Sequence, residues 1–277
     1  KNFLKLIFIS LKRKSHFQCF GSVRFGGAIT VDQAWELGFD HLAIAVGAGL
    51  PRELVLPNSL APGMRQANDF LMALQLTGAG KVSSLANLQV RMPAVVIGGG
   101  LTGIDAATEV QAYYFVLIQK VFDRYTALSE RFTEETVRQY FDDLQLEVID
   151  EYISHAKQLN QERLQASQEN REVNFIGLSR RWGGVTVVYR RSIQESPAYR
   201  LNHEELAKAL EEGLYYAEGL SPNKVILDQY GYAKALECQM RLQNEDGLWM
   251  QSDQVRVLPA RCILVATGAK PNVAYEF

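Results

Sequence analysis

One stretch constrains this chain more than any other. Residues 93–97 are a short apolar run, Gly98-Gly99-Gly100-Leu101-Thr102-Gly103 follows directly, and a helical pattern begins there and continues past Tyr113. A short apolar run closed by a glycine cluster reads as a buried strand ending in a tight turn. Gly98 permits the turn, Gly100 lets the backbone come close to a pyrophosphate, and Gly103 lets the helix pack on the strand. The helix N-terminus supplies unbonded N–H groups and the positive end of the helix dipole, both of which favour phosphate. Gly-x-Gly-x-x-Gly alone is a common pattern. Its position between a strand and a helix makes it a candidate dinucleotide site, the competing reading being a glycine-rich turn that binds nothing.

Which dinucleotide is decided at the end of the next strand. NAD and FAD sites place an acid there for the ribose hydroxyls, and NADP sites place arginine for the 2′-phosphate. The β-branched run 185–189 ends in Tyr189-Arg190-Arg191. Two guanidiniums can make paired, charge-assisted bonds to a phosphate, which favours NADPH. The competing reading leaves one or both arginines at a solvated strand end. Tyr189 is a candidate for lining the adenosine pocket. The spacing is long: Arg190 follows Gly103 by 87 positions, where about 20 are usual. The surplus coincides with 115–180, a nearly glycine-free helical stretch expected to hold two or three helices with breaks near 131–133 and 150. It reads as an insertion between the first helix and the second strand, serving packing or interaction.

The remainder of the chain supplies the other elements of an α/β fold. Helices are expected at 1–14, at 31–38 with Thr30 as cap, at 65–77 and at 203–212. Strands are expected at 16–25, 41–46 and 214–217, and a loop at 192–201. Residues 224–257 alternate like a β-meander, and 262–266 is apolar and runs into Thr267-Gly268. The fold class is therefore α/β: a Rossmann-like three-layer dinucleotide-binding domain with a central parallel sheet, a β-meander and a helical insertion.

Composition excludes several classes. Hydrophobic residues make up 47% and charged residues 22%, with a formal net charge of −2, so nothing global points to nucleic acid or a membrane surface. The apolar stretch 3–11 is interrupted by Lys5 and is too short to span a bilayer; an amphipathic helix is the better reading. Cys19, Cys238 and Cys262 form no C-x-x-C pair, so neither a redox dithiol nor a zinc or iron–sulfur site is indicated; three buried or half-buried thiols are expected. His16, His41, His155 and His203 are scattered. No metal site and no catalytic side chain is expected.

The segments 97–110 (IGGGLTGIDAATEV), 185–199 (VTVVYRRSIQESPAY) and 262–272 (CILVATGAKPN) resemble, in that order, the pyridine nucleotide-disulfide oxidoreductase superfamily. Within it the chain is most similar to glutamate synthase small-subunit-like flavoproteins. That branch has a Tyr-Arg-Arg strand end followed by a proline loop, here Glu195-Ser196-Pro197, and an earlier Ala-x-Gly turn, here Ala45-Val46-Gly47. The resemblance covers most of 16–277 apart from 115–180. It implies a split FAD domain enclosing an NADPH domain: 1–60 as a remnant of the FAD domain, 61–261 as the NADPH domain, and 262–277 as the return strand, with the turns at Gly47 and Gly268 near the junction. It further implies hydride transfer from NADPH to FAD, electrons passed on to an iron–sulfur or other accepting centre, and a cytoplasmic setting. The family's first FAD fingerprint and its terminal Gly-Asp motif are not in this sequence, so the stretch by itself is expected to be inactive and to hold FAD weakly.

Gly98, Gly99, Gly100, Thr102 and Gly103 are thus expected on the pyrophosphate, and Arg190 and Arg191 on the 2′-phosphate. Two other readings compete. One is a non-catalytic NADP(H)-binding scaffold or sensor that docks proteins through its helical insertion. The other is a short-chain dehydrogenase, for which Tyr230 and Lys234 have the Tyr-x-x-x-Lys spacing. That pair must share a helix face, and Gly231 in a strand-like region argues against it.

Overall fold

The structure, a computed structural model, describes residues 2–45 and 47–271. The chain divides between Gly47 and Ala48 into two compact units.

The first unit holds two helices, α1 (Asn2–Lys12) and α2 (Val31–Glu36). Thr30 caps α2 as its sequence suggests: the Thr30 hydroxyl accepts from the Gln33 N–H, and the Gln33 side chain accepts from the Thr30 N–H. The two strands expected here are not formed. Within 16–25 only an isolated bridge from Phe25 to Ile29 is present, and 41–45 is irregular and largely exposed; Val46 lies outside the described residues. An apolar run becomes a strand only where neighbouring strands accept its hydrogen bonds, and this unit offers no such sheet among its described residues.

The second unit is a Rossmann-like α/β structure of three layers. Its centre is a five-stranded sheet, parallel throughout, built from β2 (Met64–Gln66), β3 (Ala94–Ile97), β4 (Val185–Val188), β5 (Tyr215–Ala217) and β9 (Cys262–Val265) in the order β2-β9-β3-β4-β5. β3 and β9 are buried at every position, as strands covered on both faces must be. Their side chains alternate between two cores. Ala94, Val96, Cys262 and Leu264 join the helical layer, while Val95, Ile97 and Ile263 face an antiparallel meander. That meander is β6 (Leu220–Leu227), β7 (Ala233–Gln243) and β8 (Trp249–Pro259), in the order β6-β7-β8. A short antiparallel pair, β1 (Leu50–Pro51) with β10 (Ala269–Lys270), completes the strands.

The helical layer contains α3 (Ala67–Leu76), α4 (Leu101–Phe132), α5 (Glu134–Arg138), α6 (Asp143–Gln168), α7 (Phe175–Arg181) and α8 (Pro197–Glu211). Three boundaries differ from expectation. The insertion is not a separate body appended to the first helix: α4 runs 32 residues without a break from the glycine loop into it. The break at 133 occurs as expected, where Thr133 adopts φ +69°, but the second lies at 139–142, not near 150, because Asp142 caps α6. Residues 192–201, expected as a loop, are a 3-10 turn over Ile193–Glu195 followed by the first turns of α8, which Ser196 caps and Pro197 opens.

The insertion is fastened to the lower edge of the sheet, opposite the glycine loop. Glu151 of α6 receives two hydrogen bonds from Arg261, both of 2.7 Å, and two from Arg91, of 2.6 Å from Nη2 and 3.1 Å from Nε; the Arg91 side chain is 6% exposed. Arg91 also reaches Glu147 at 2.9 Å, and the Tyr152 hydroxyl donates to the Val90 carbonyl. Above this cluster, His155 stacks on Trp182 at 4.5 Å, and its Nδ1 lies 2.6 Å from the Tyr114 hydroxyl.

Burial, aided by the Arg261 charge, pulls the His155 imidazole down to about 4 from 6.5. A base that is neutral when folded and protonated when unfolded makes the unfolded chain bind more protons between those values, so stability falls as pH drops from 6.5 to 4. The melting temperature is therefore expected to decline over that window. His155→Gln should flatten the decline, and an unchanged slope would show that His155 does not contribute to it.

Candidate functional site

The sheet order fixes where a ligand can sit. From β3 the chain crosses to β4 and then β5 on one side, while β9 lies on the other side of β3. Open parallel sheets bind ligands at this kind of reversal, outside the carboxyl ends of the strands. Ile97 is in register with Val188 of β4 and with Val265 of β9. Gly98, Tyr189 and Ala266 therefore emerge side by side at one level. The structure brings the glycine loop, the arginine-bearing strand end and the Ala266-Thr267-Gly268 turn together.

Within the loop the glycines have different causes. Gly98 has φ +139° and any Cβ there would overlap the Ala266 carbonyl; a Cβ on Gly103 would overlap the Gly98 carbonyl. Gly99 is covered by Tyr189, whose Cδ2 would stand 2.6 Å from an added Cβ. These three are explained by the chain's own packing. Gly100 is not: its φ of −90° suits any residue, and nothing lies within 4 Å of where its Cβ would be. Gly100 is also the N-cap of α4 and supplies no capping side chain, so the first N–H groups of that helix, Leu101 and Thr102 among them, have no intrahelical or capping acceptor. This void and these donors fit a pyrophosphate.

The strand end carries the charge. Arg190 is exposed, and no hydrogen bond or ion pair engages its side chain among the described residues. Arg191 lies 3.7 Å from Glu195. Glu195 is itself held, its Oε2 accepting from the Trp249 indole N–H at 2.7 Å, from the Ser192 hydroxyl at 3.1 Å and from the Ser192 N–H at 3.4 Å. These donors, the indole first, keep its carboxyl below the usual range and therefore ionised. The Trp249 contact was not legible in the sequence, since 54 residues separate it from Glu195. The N-terminus of α8 closes the loop from above, with the Ala198 N–H donating to the Gly99 carbonyl at 3.0 Å.

The remaining candidates lie elsewhere. Gly47 belongs to the first unit and has φ +68°, while Gly268 belongs to the second and has φ +98°. Tyr230 sits in the hairpin turn between β6 and β7, its N–H bonded to Asp228, and Lys234 is in β7. No helix face joins them, so the dehydrogenase pair is absent. Burial pushes the Cys238 and Cys262 thiols up, to about 12 and about 11, leaving both protonated at neutral pH. Cys19, expected to be at least half-buried, is exposed. No cluster of three or more metal-ligating side chains occurs among the described residues, and no helix of the described residues is long and apolar enough to cross a membrane.

No family model matches the chain. An uncharacterised protein of Rickettsia prowazekii (strain Madrid E) is 38% identical over 288 residues, a match that covers 100% of this chain and 38% of that protein. Among solved structures, Mycobacterium tuberculosis FprA in complex with NADPH superposes with a TM-score of 0.53 at 16% identity, covering 99% of this chain and 60% of FprA. A second structure of FprA, described as an oxidoreductase with a covalent modification of NADP+, gives the same TM-score, identity and coverage. The chain thus spans well under half of its relative and about three-fifths of FprA. At this identity the likeness establishes the fold.

Proposed function

We propose that this chain is the NADPH-binding portion of an FAD-dependent oxidoreductase of the pyridine nucleotide-disulfide oxidoreductase superfamily, in its glutamate synthase small-subunit-like branch. The observation that carries the reading is Gly100, a helix-capping glycine facing open space in a loop that leaves β3 level with the end of β4, whose Arg190 has no side-chain partner among the described residues. The fold shared with NADPH-bound FprA supports it.

In this reading the loop of Gly98, Gly99, Gly100, Thr102 and Gly103 seats the pyrophosphate at the head of α4, Gly98, Gly99 and Gly103 by shaping the turn and Gly100 with Thr102 by facing the ligand. Arg190 and Arg191 face the 2′-phosphate, and Tyr189, which covers Gly99, lines the adenosine pocket. The flavin, when bound in the parent protein, supplies the hydride acceptor, so no side chain here need act as acid or base. Residues 1–60 and the return segment 262–277, with Gly47 and Gly268, connect in this reading to the FAD portion of the same cytoplasmic protein, the segment leaving through β9, which pairs with β2 and β3. Electrons then pass to an iron–sulfur or other centre on a further domain or partner.

Anaerobic addition of NADPH to the full-length protein tests this directly. The expected result is a purified protein carrying FAD whose flavin absorbance bleaches faster with NADPH than with NADH. A protein that binds NADPH and carries no flavin would support the second reading, a nucleotide-binding scaffold. That reading draws on a groove of about 840 Å³ between α4, α7 and α8, lined by Phe115, Phe175, Lys120 and Lys208, as a docking surface.

A further inference from the structure

The two arginines at the end of β4 are not equivalent. Arg190 has no intramolecular partner among the described residues, whereas Arg191 faces the ionised Glu195 at 3.7 Å. A carboxylate on a free side chain would turn away from an incoming phosphate. Glu195 is tied on Oε2 by Trp249 of the meander and by both donors of Ser192, leaving Oε1 toward Arg191. The backbone is tied as well, with the Ile193 N–H on Glu218 and the Gly219 N–H on the Arg191 carbonyl. Resting on the NADPH reading above, we propose that Glu195 is a specificity-determining residue: it masks Arg191, so that selection of the 2′-phosphate falls mainly on Arg190.

The physical basis is the difference between a charge and a pair. Arg190 presents a full positive charge with five donors to a phosphate. Arg191 and an anchored carboxylate present a dipole whose field falls off faster, and a dianionic phosphate placed on Arg191 is repelled by Glu195. Trp249, 54 residues away on β8, holds the mask in place, and the meander thereby enters the selectivity of the site.

Removing the charge while keeping an acceptor for Trp249 and Ser192 unmasks Arg191. In calorimetric titrations with NADPH and NADH, Glu195→Gln is expected to tighten NADPH binding about fivefold, with NADH affinity moving by less than twofold. The gain should vanish when Arg191→Ala is added to Glu195→Gln, and should survive in relative terms when Arg190→Ala is added. Trp249→Phe, which frees the carboxylate to swing away, should give a smaller gain in the same direction. Weaker NADPH binding by Glu195→Gln, or equal changes for both nucleotides, would overturn the masking role while leaving the NADPH site standing. An unsubstituted protein that does not distinguish NADPH from NADH overturns the site reading and the masking role together.

Discussion

Replacing Gly100 by alanine is expected to leave the fold intact and to weaken NADPH binding by roughly 10- to 150-fold. The alanine methyl meets no protein atom and the backbone is already in a region open to all residues, so the unfolding midpoint should be within error of the parent. The cost falls on the ligand, because the methyl fills the space where a pyrophosphate meets the first N–H groups of α4. Loss of one hydrogen bond to a charged group costs about 1.5–3 kcal/mol, which corresponds to that range of affinity. Gly103→Ala is the contrast. Its methyl collides with the Gly98 carbonyl inside the loop, an overpacking worth about 1–3 kcal/mol of stability. If Gly100→Ala destabilises the protein as much as Gly103→Ala does, Gly100 serves the fold and the ligand argument fails.

The largest stability effect should come from Glu151. It is 12% exposed, joins Arg91 and Arg261 at once, and sits where α6 meets the starts of β3 and β9. Glu151→Gln removes the charge shared by both arginines and leaves Arg91, 6% exposed, with Glu147 alone among the described residues. Breaking a buried ion pair from one side costs about 3–5 kcal/mol where the remaining charge is left uncompensated; Arg91 keeps the half-exposed Glu147, so the loss is expected at the lower end of that range. Denaturant unfolding should show this loss. The Arg138–Asp150 pair of the same insertion has partners 34% and 51% exposed, and Arg138→Ala should cost less than about 1 kcal/mol. Comparable losses at the two positions would mean that Glu151 does not anchor the insertion.

The core of this structure was legible because local chemistry dictates it. The run into Gly98, the β-branched 185–188, the alternation of the meander and the Thr30 cap each carry their own signal, and each formed. The elements that went unread depend on distant partners. Residues 16–25 and 41–45 are apolar enough to be strands, yet strand formation needs a neighbour that local sequence does not report. The continuity of α4 through 115–132 was hidden because helical periodicity does not reveal whether one helix or two carries it. The segment 192–201 looked like a loop because Pro197 normally punctuates, whereas here it occupies the first position of α8, where its missing N–H costs nothing. At the site, the glycines and arginines were visible as residue types. Their division into structural glycines and a ligand-facing one, and into a free arginine and a masked one, rests on Ala266, Tyr189 and Trp249, which only folding brings near.

The central claim, that the loop from Gly98 to Gly103 and the arginine at 190 form an NADPH site, is tested most directly by calorimetric titration of the protein with NADPH and with NADH, repeated on Arg190→Ala. The account predicts that NADPH binds at least tenfold more tightly than NADH, and that Arg190→Ala brings the two affinities together by weakening NADPH alone, as loss of a charge-assisted contact of about 1.5–3 kcal/mol requires. Equal affinities in the unsubstituted protein, or a preference that survives Arg190→Ala, would contradict it.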